Sequence, residues 1–319
     1  MTQSADLALN SKCYQRSKPK VITTMGIVLD TLREKHLLVS DGIYGTILHS
    51  IGLKGGDCAE EWNISHPDEV RSIAAAFLQA GSDIVTTNTF GGSALTLKRT
   101  GYQDKVAEFN ESGVRHSLEA APGVIVAASV GPTGEFIEPI GNVTYEQMDE
   151  VFSEQIASML HAGAMAICVE TMTSIEEATC AIRAAKKLDA SVDVLATMTF
   201  DTTPKGYRTL MGVDPSRAAE ALVEAGADVI GSNCGQGIDQ MISVAAELRK
   251  YTDKPIAIQP NAGIPALVQG KVVFPSSPEY MASRVRDIVD AGANIIGGCC
   301  GVTPKHIKKM KAVVDELRN

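Results

Sequence analysis

One short phrase recurs four times in this chain, and it limits the possible folds more than any other feature. It reads Ala80-Gly81-Ser82-Asp83-Ile84-Val85, then Ala162-Gly163-Ala164-Met165-Ala166-Ile167, Ala225-Gly226-Ala227-Asp228-Val229-Ile230 and Ala291-Gly292-Ala293-Asn294-Ile295-Ile296. Each copy follows a helix-like stretch and opens a short apolar run. Glycine in that place is a helix stop, because it can take the left-handed conformation that ends a helix. The apolar run behind it has the length of a strand. Four further apolar runs, at 37–40, 124–130, 192–199 and 255–259, interleave with these. They are rich in Val, Ile and Ala without polar alternation, the pattern of parallel strands buried on both faces.

The segments between the runs carry helix-start signals. Thr144–Gln147 and Ser174–Glu177 fit the capping box. Asp214-Pro215, Ser277-Pro278 and Thr303-Pro304 each place a capping oxygen before a proline at the first helical position. Eight strands alternating with eight helices predict an α/β chain folded as a single (β/α)8 TIM barrel. An open doubly wound sheet is the alternative, but no Gly-x-Gly-x-x-Gly follows the first run. Residues 1–20 are polar and aperiodic and are expected to form a flexible N-terminal tail. Residues 21–36 are expected to add a helix covering one end of the barrel, so that 21–319 form one domain with an N-terminal extension.

Composition excludes several function classes. A hydrophobic fraction of 45% and a charged fraction of 21% give ample core and argue against disorder. Twenty-nine Lys+Arg against 38 Asp+Glu leave a net charge of −9, which disfavours a nucleic-acid surface. No apolar run is long enough to span a membrane, and the first ten residues do not read as a secretory signal. Seven cysteines, an odd number in a chain too long to need disulfides, point to a reducing compartment, the cytoplasm.

In a barrel the chemistry belongs at the C-terminal ends of the strands. Those ends concentrate polar and reactive residues: Asp41 to Thr46, Thr87 to Phe90, Ser129 to Pro132, Glu170 to Met172, Ser232 to Gly235, Gln259 to Gly263 and Gly297 to Gly301. Cys234, Cys299 and Cys300 all sit in Gly-rich ends. Three thiolates form a soft, anionic donor set suited to zinc, and three protein ligands leave one tetrahedral position open, as catalytic sites require. A strained disulfide between Cys299 and Cys300, or simple burial, are the other readings. Cys168 and Cys180 read as core; Cys13 and Cys58 have no partner pattern. Glu170 closes an apolar run, where a carboxylate needs a partner. Asp41 precedes Gly42 and fits a turn as well as a site. Gly45 and Thr46 offer backbone N–H groups suited to a carboxylate. The histidines His66, His116, His161 and His306 read as surface or packing residues.

The segments DGIYGT, TNTF, SVGPTGEF, VETM, GSNCG, QPNAG and GGCCG stand in this order at barrel spacing. Together they resemble the homocysteine S-methyltransferase family, including the homocysteine-binding part of cobalamin-dependent methionine synthase and betaine–homocysteine methyltransferase. The resemblance runs from about Leu32 to Leu317. It implies a zinc-bearing barrel enzyme that methylates homocysteine to methionine. It also implies Cys234, Cys299 and Cys300 as ligands of Zn2+. Asp41 and Glu170 would hold the substrate ammonium, and Gly45 and Thr46 its carboxylate. Asn261 would approach the metal when substrate is absent, and Asn88 would lie near the substrate. The expected methyl donor is methylcobalamin supplied by a partner corrinoid protein, since aromatic content is only 5% and a betaine pocket needs π faces. Betaine or a sulfonium donor, another thiol or selenol acceptor, and a non-catalytic homocysteine-binding or corrinoid-partner module are the alternatives. A barrel lyase or aldolase would want a Schiff-base lysine, which these strand ends lack. The oligomeric state is not legible.

Overall fold

A computed structural model describes residues 26–268 and 271–318. The expected tail at 1–20 lies outside them. Eight parallel strands form one sheet: β1 (Leu38–Val39), β2 (Ile84–Thr86), β3 (Ile125–Val130), β4 (Ala166–Met172), β5 (Asp193–Met198), β8 (Val229–Cys234), β9 (Ile256–Pro260) and β12 (Ile295–Ile296). Two exposed hairpins, β6–β7 (Asp201–Thr203, Gly206–Arg208) and β10–β11 (Ala266–Val268, Lys271–Val273), are insertions after β5 and β9. The strand order is β1-β12-β9-β8-β5-β4-β3-β2, and a single bridge between Ser40 and Ile84 joins the two ends into a barrel. The eight apolar runs of the sequence are these eight strands.

The helices are α1 (Ile27–Lys35), α2 (Tyr44–Ile51), α3 (Trp62–Ser65), α4 (Pro67–Ala80), α5 (Ala94–Leu97), α6 (Val106–Ala120), α7 (Tyr145–His161), α8 (Ile175–Leu188), α9 (Pro215–Ala225), α10 (Ile238–Arg249), α11 (Pro278–Ser283), α12 (Val285–Asp290) and α13 (Pro304–Arg318). The glycines of the repeated phrase, Gly81, Gly163, Gly226 and Gly292, all have φ between 96° and 107°, the left-handed geometry that their position demands. Thr144 and Gln147 form the expected capping box, and Asp214 and Ser277 cap α9 and α11. The Ser174 signal is only half used. Its hydroxyl caps the Glu177 N–H, but the Glu177 carboxylate turns away to accept from the backbone and hydroxyl of Thr133.

Alternation along the strands sorts side chains between two cores. Outward residues pack under the helices, while Leu38, Ile84, Ile125, Cys168, Leu195, Val229 and Ile295 fill the lower barrel together with Val28 and Leu32 of α1. Thus α1 plugs the N-terminal end. Its N-cap is Gly26, which has no side chain to offer, so the Asp193 carboxylate accepts from the N–H groups of Val28 and Leu29 at 2.7 and 3.1 Å. A Cβ at Gly26 would fall 2.2 Å from that carboxylate, which explains the glycine. Nearby, Asp83 accepts from Lys35 (2.7 Å), Arg318 (2.5 Å) and the Val39 N–H (2.9 Å), tying α1, α13 and β1 to the start of β2. Above the apolar layer the lining becomes polar: Ser40, Asp41, Thr86, Ser129, Glu170, Thr197, Asn233 and Gln259, all buried. None of the described helices is long and apolar enough to cross a membrane.

Candidate metal and substrate site

Cys234 ends β8, and Cys299 and Cys300 follow β12 across the intervening β9. An extended strand would send neighbouring side chains to opposite faces. Two backbone features bring the thiols together. Cys234 adopts φ +64°, which bends the end of β8 inward. The β12 extension turns through glycines that no larger residue can replace: a Cβ at Gly297 would sit 1.9 Å from the Ser40 hydroxyl, and one at Gly298 would sit 2.2 Å from Val302. The three sulfurs lie within 4.8 Å of one another, with Cys234 and Cys299 at 2.9 Å. All three are free thiols. A tetrahedral zinc with bonds of about 2.3 Å holds its sulfurs roughly 3.8 Å apart, so the cluster brackets the required spacing. Hydrogen bonds from Cys234 and Cys299 pull the Cys300 thiol far down, whereas its neighbours are pushed up by sharing and burial. Donor type and spacing fit zinc.

Asn261 follows β9 and bonds to both cysteine loops. Its amide nitrogen donates to the Gly235 carbonyl (2.9 Å) and its oxygen accepts from the Cys300 N–H (3.0 Å), so it clamps the two cysteine loops together. His306 lies near the same loop but is spoken for. Its Nδ1 meets Thr303 and its Nε2 meets the Ser276 carbonyl, which keeps it a packing residue.

Two carboxyls stand beside the thiols. Glu170 ends the inward-facing series of β4, where a bulge between Val169 and Met172 accommodates Thr171 at φ +63°. Burial raises the Glu170 carboxyl to about 7, against the pull of the Ser129 hydroxyl that donates to it. Asp41 is fully buried; burial raises it to about 8, although the Thr86 N–H (2.7 Å) and hydroxyl (3.0 Å) bind its Oδ2. Its Oδ1 has no hydrogen-bond partner among the described residues. Buried carboxyls are ordinarily paired, and no cation is among the groups that shift these two. A cationic ligand group would complete them.

Gly45 and Thr46 occupy the first turn of α2, whose N-cap, Ile43, supplies no side-chain acceptor. Helix-start N–H groups without a cap favour an anion. A Cβ at Gly45 would meet nothing within 4 Å, so the space before this turn is open. The Thr46 hydroxyl also accepts from the Gly301 N–H at 3.3 Å, linking the turn to the cysteine loop. The Asn88 amide donates to the Ala59 carbonyl (2.7 Å) and to Asn63 (2.9 Å), which fastens the segment before α3 to the end of β2. Residue types alone did not single out Ser129, Thr86 or Asn233. Their only signal was position at a strand end.

An α/β barrel that gathers three thiols, two buried carboxyls and an uncapped helix start at the C-terminal ends of its strands has the make-up of a barrel enzyme. The homocysteine S-methyltransferase family profile matches residues 38–314, and this chain belongs to that family. It is 30% identical over 307 residues to methionine synthase of Mycobacterium leprae and 29% identical over 309 residues to that of Mycobacterium tuberculosis. These matches cover 90% and 91% of this chain but only 25% and 26% of the relatives, so the chain spans about a quarter of their length. Among solved structures, the homocysteine methyltransferase MmuM from Escherichia coli, in its metallated form, shares the fold with a TM-score of 0.73 at 19% identity. That match covers 89% of this chain and 98% of MmuM.

Proposed function

We propose that this chain methylates the sulfur of homocysteine on a zinc ion held by Cys234, Cys299 and Cys300, giving methionine, and that the methyl group comes from methylcobalamin carried by a separate corrinoid protein. The observation that carries the acceptor half is the juxtaposition of the sulfur trio with two cation-seeking carboxyls and an anion-seeking helix start. Homocysteine presents a thiol, an ammonium and a carboxylate, one for each. The names of the relatives agree with that acceptor and product.

Glu170 and Asp41 receive the ammonium, whose charge relieves their burial cost. The N–H groups of Gly45 and Thr46 receive the carboxylate. With both ends held, the side-chain thiol is directed at the open metal position, and orientation of this kind accounts for a large part of a transfer barrier. When bound, zinc acidifies the incoming thiol and keeps its sulfur nucleophilic, since three anionic ligands leave little Lewis acidity for activating water. The thiol proton passes to solvent. A sulfur lone pair then forms the S–CH3 bond as the bond from methyl to donor breaks, with its electron pair remaining on the donor. A methylated corrinoid would supply such a donor, since it can keep the electron pair of the bond that breaks.

The donor half rests on the mouth of the barrel. Ile140, Leu210 and Leu267 lie in the three connections that follow β3, β5 and β9, with 67%, 77% and 76% of their surface exposed. Apolar side chains left in solvent around a cleft suit contact with a macromolecule. The single tryptophan, Trp62, stacks on His66 at 4.1 Å instead of forming part of an aromatic cage. The test is to incubate zinc-loaded protein and homocysteine separately with methylcobalamin, betaine, S-methylmethionine and S-adenosylmethionine, and to measure methionine. Methionine from methylcobalamin is expected. Turnover with betaine or a sulfonium, and none with methylcobalamin, overturns the donor assignment and leaves the zinc chemistry standing.

A further inference from the structure

Asn233 is fully buried beside the cysteine cluster. Its Nδ2 lies 3.8 Å from the sulfur of Cys234 and 3.8 Å from that of Cys299, within reach of N–H···S hydrogen bonds. The orientation of the amide is settled by its other contacts. The Thr171 N–H can only donate, and it reaches Oδ1 at 2.8 Å; the Thr197 hydroxyl donates to the same oxygen at 2.8 Å. The nitrogen end therefore faces the sulfurs; one of its two N–H groups serves the Thr171 hydroxyl at 2.7 Å and the other is shared between the two sulfurs. Three contacts to two neighbouring strands hold one amide in one pose.

Those anchors matter because of where they sit. Thr171 follows Glu170 directly and has φ +63°, a conformation that a β-branched residue adopts only when its surroundings impose it. Asn233 supplies acceptor and donor to both polar groups of that residue, so it supports the bulge that aims Glu170 into the barrel. On its other side it precedes Cys234, whose φ is also positive at +64°. One side chain thus spans the two left-handed turns that present the carboxyl and the first thiol.

The geometry points to Asn233 as a positioning residue for the metal centre: its amide donates to the Cys234 and Cys299 sulfurs, lowers the energy of their lone pairs, and holds their spacing relative to Glu170. This inference rests on reading the thiol trio as a zinc site. Groups that hydrogen-bond to metal ligands typically account for ten- to hundredfold in metal affinity, and a similar loss is expected here.

Cobalt(II) substitution provides a readout independent of turnover. Thiolates that lose an N–H donor have higher-energy lone pairs, so their sulfur-to-cobalt charge-transfer bands move to longer wavelength. In Asn233→Ala that red shift is expected, together with zinc affinity reduced roughly ten- to hundredfold in competition with a chromophoric chelator. Asn233→Asp keeps an acceptor for Thr171 and Thr197 while losing the donors, and should show the same red shift even if the alanine variant folds poorly. Thr197→Val removes one anchor and leaves the donors in place, so its bands should stay near those of the wild type. Wild-type bands with unshifted bands in both Asn233 variants overturn the inference alone. A wild-type chain that shows no thiolate-to-cobalt bands overturns the metal reading and this inference with it.

Discussion

Replacing Glu170 by Gln separates a substrate-binding role from a structural one, because the two predict opposite results. Glu170 is buried, accepts from Ser129, and has its carboxyl raised by burial to about 7. A carboxyl whose folded pKa lies above its unfolded value of about 4.3 stabilises the fold most at low pH, and that contribution is lost as pH rises toward 7. Over roughly three pH units at about 1.4 kcal/mol each, the ligand-free wild type should lose some 3–4 kcal/mol between about pH 4 and pH 7 on account of this group. Gln keeps an oxygen for Ser129 and cannot ionise. Glu170→Gln should therefore be more stable than wild type at pH 8 and similar at pH 4. Homocysteine binding should move the other way. A hydrogen bond between charged partners contributes about 2 kcal/mol, so Kd for homocysteine should rise about thirtyfold at pH 8. The wild type should bind more tightly as pH rises through 7, and the variant should lose that dependence. Zinc content should not change. Calorimetric titration at pH 6 and pH 8, paired with urea unfolding at pH 4 and pH 8, measures both quantities. An unchanged Kd together with a less stable variant would refute the reasoning and make Glu170 a structural group.

Cys299→Ala combined with Cys300→Ala should abolish zinc binding, read by elemental analysis, while circular dichroism stays close to wild type. Gly45→Ala should fold normally, since its Cβ meets nothing and alanine favours a helix, yet the methyl group enters the space before α2; KM for homocysteine is expected to rise about tenfold with kcat little changed. Asp83→Asn should cost about 3 kcal/mol at pH 7, because it leaves Lys35 and Arg318 facing a neutral group. Burial raises the Asp83 carboxyl, but the donors from Lys35, Val39 and Arg318 outweigh it and hold it below the usual range. Its contribution is thus present above pH 4 and lost as pH falls through the lowered value, so wild type and variant should converge in acid denaturation.

Much of the fold was legible because a parallel barrel writes itself into sequence by repetition. Each strand is buried on both sides and so appears as an unbroken apolar run, and each preceding helix ends in a glycine that must be left-handed. Gly81, Gly163, Gly226 and Gly292 carried that signal without tertiary help. The two hairpins did not announce themselves, since Asp201–Thr203 and Lys271–Val273 are short and pair only locally. The three clustered cysteines were legible from their type and glycine context, whereas their convergence depends on φ at Cys234 and on the close approach of Gly297 to Ser40, neither of which residue type dictates. Asn88 and Asn261 were legible as strand-end residues, but the backbone partners through which they hold loops in place lie far off in sequence and are not dictated by residue type. Glu177 matched a capping box, but its carboxylate found a stronger pair of donors on Thr133.

In the proposed reaction the acceptor sulfur joins three cysteine sulfurs on one zinc ion. Zinc K-edge X-ray absorption on the wild-type chain, recorded with and without homocysteine, tests this arrangement. Without substrate, three sulfur scatterers at about 2.3 Å and one lighter atom are expected; with homocysteine the lighter atom should give way to a fourth sulfur at a similar distance. An unchanged spectrum on saturation with homocysteine, or a metal with fewer than three sulfur ligands, would contradict it.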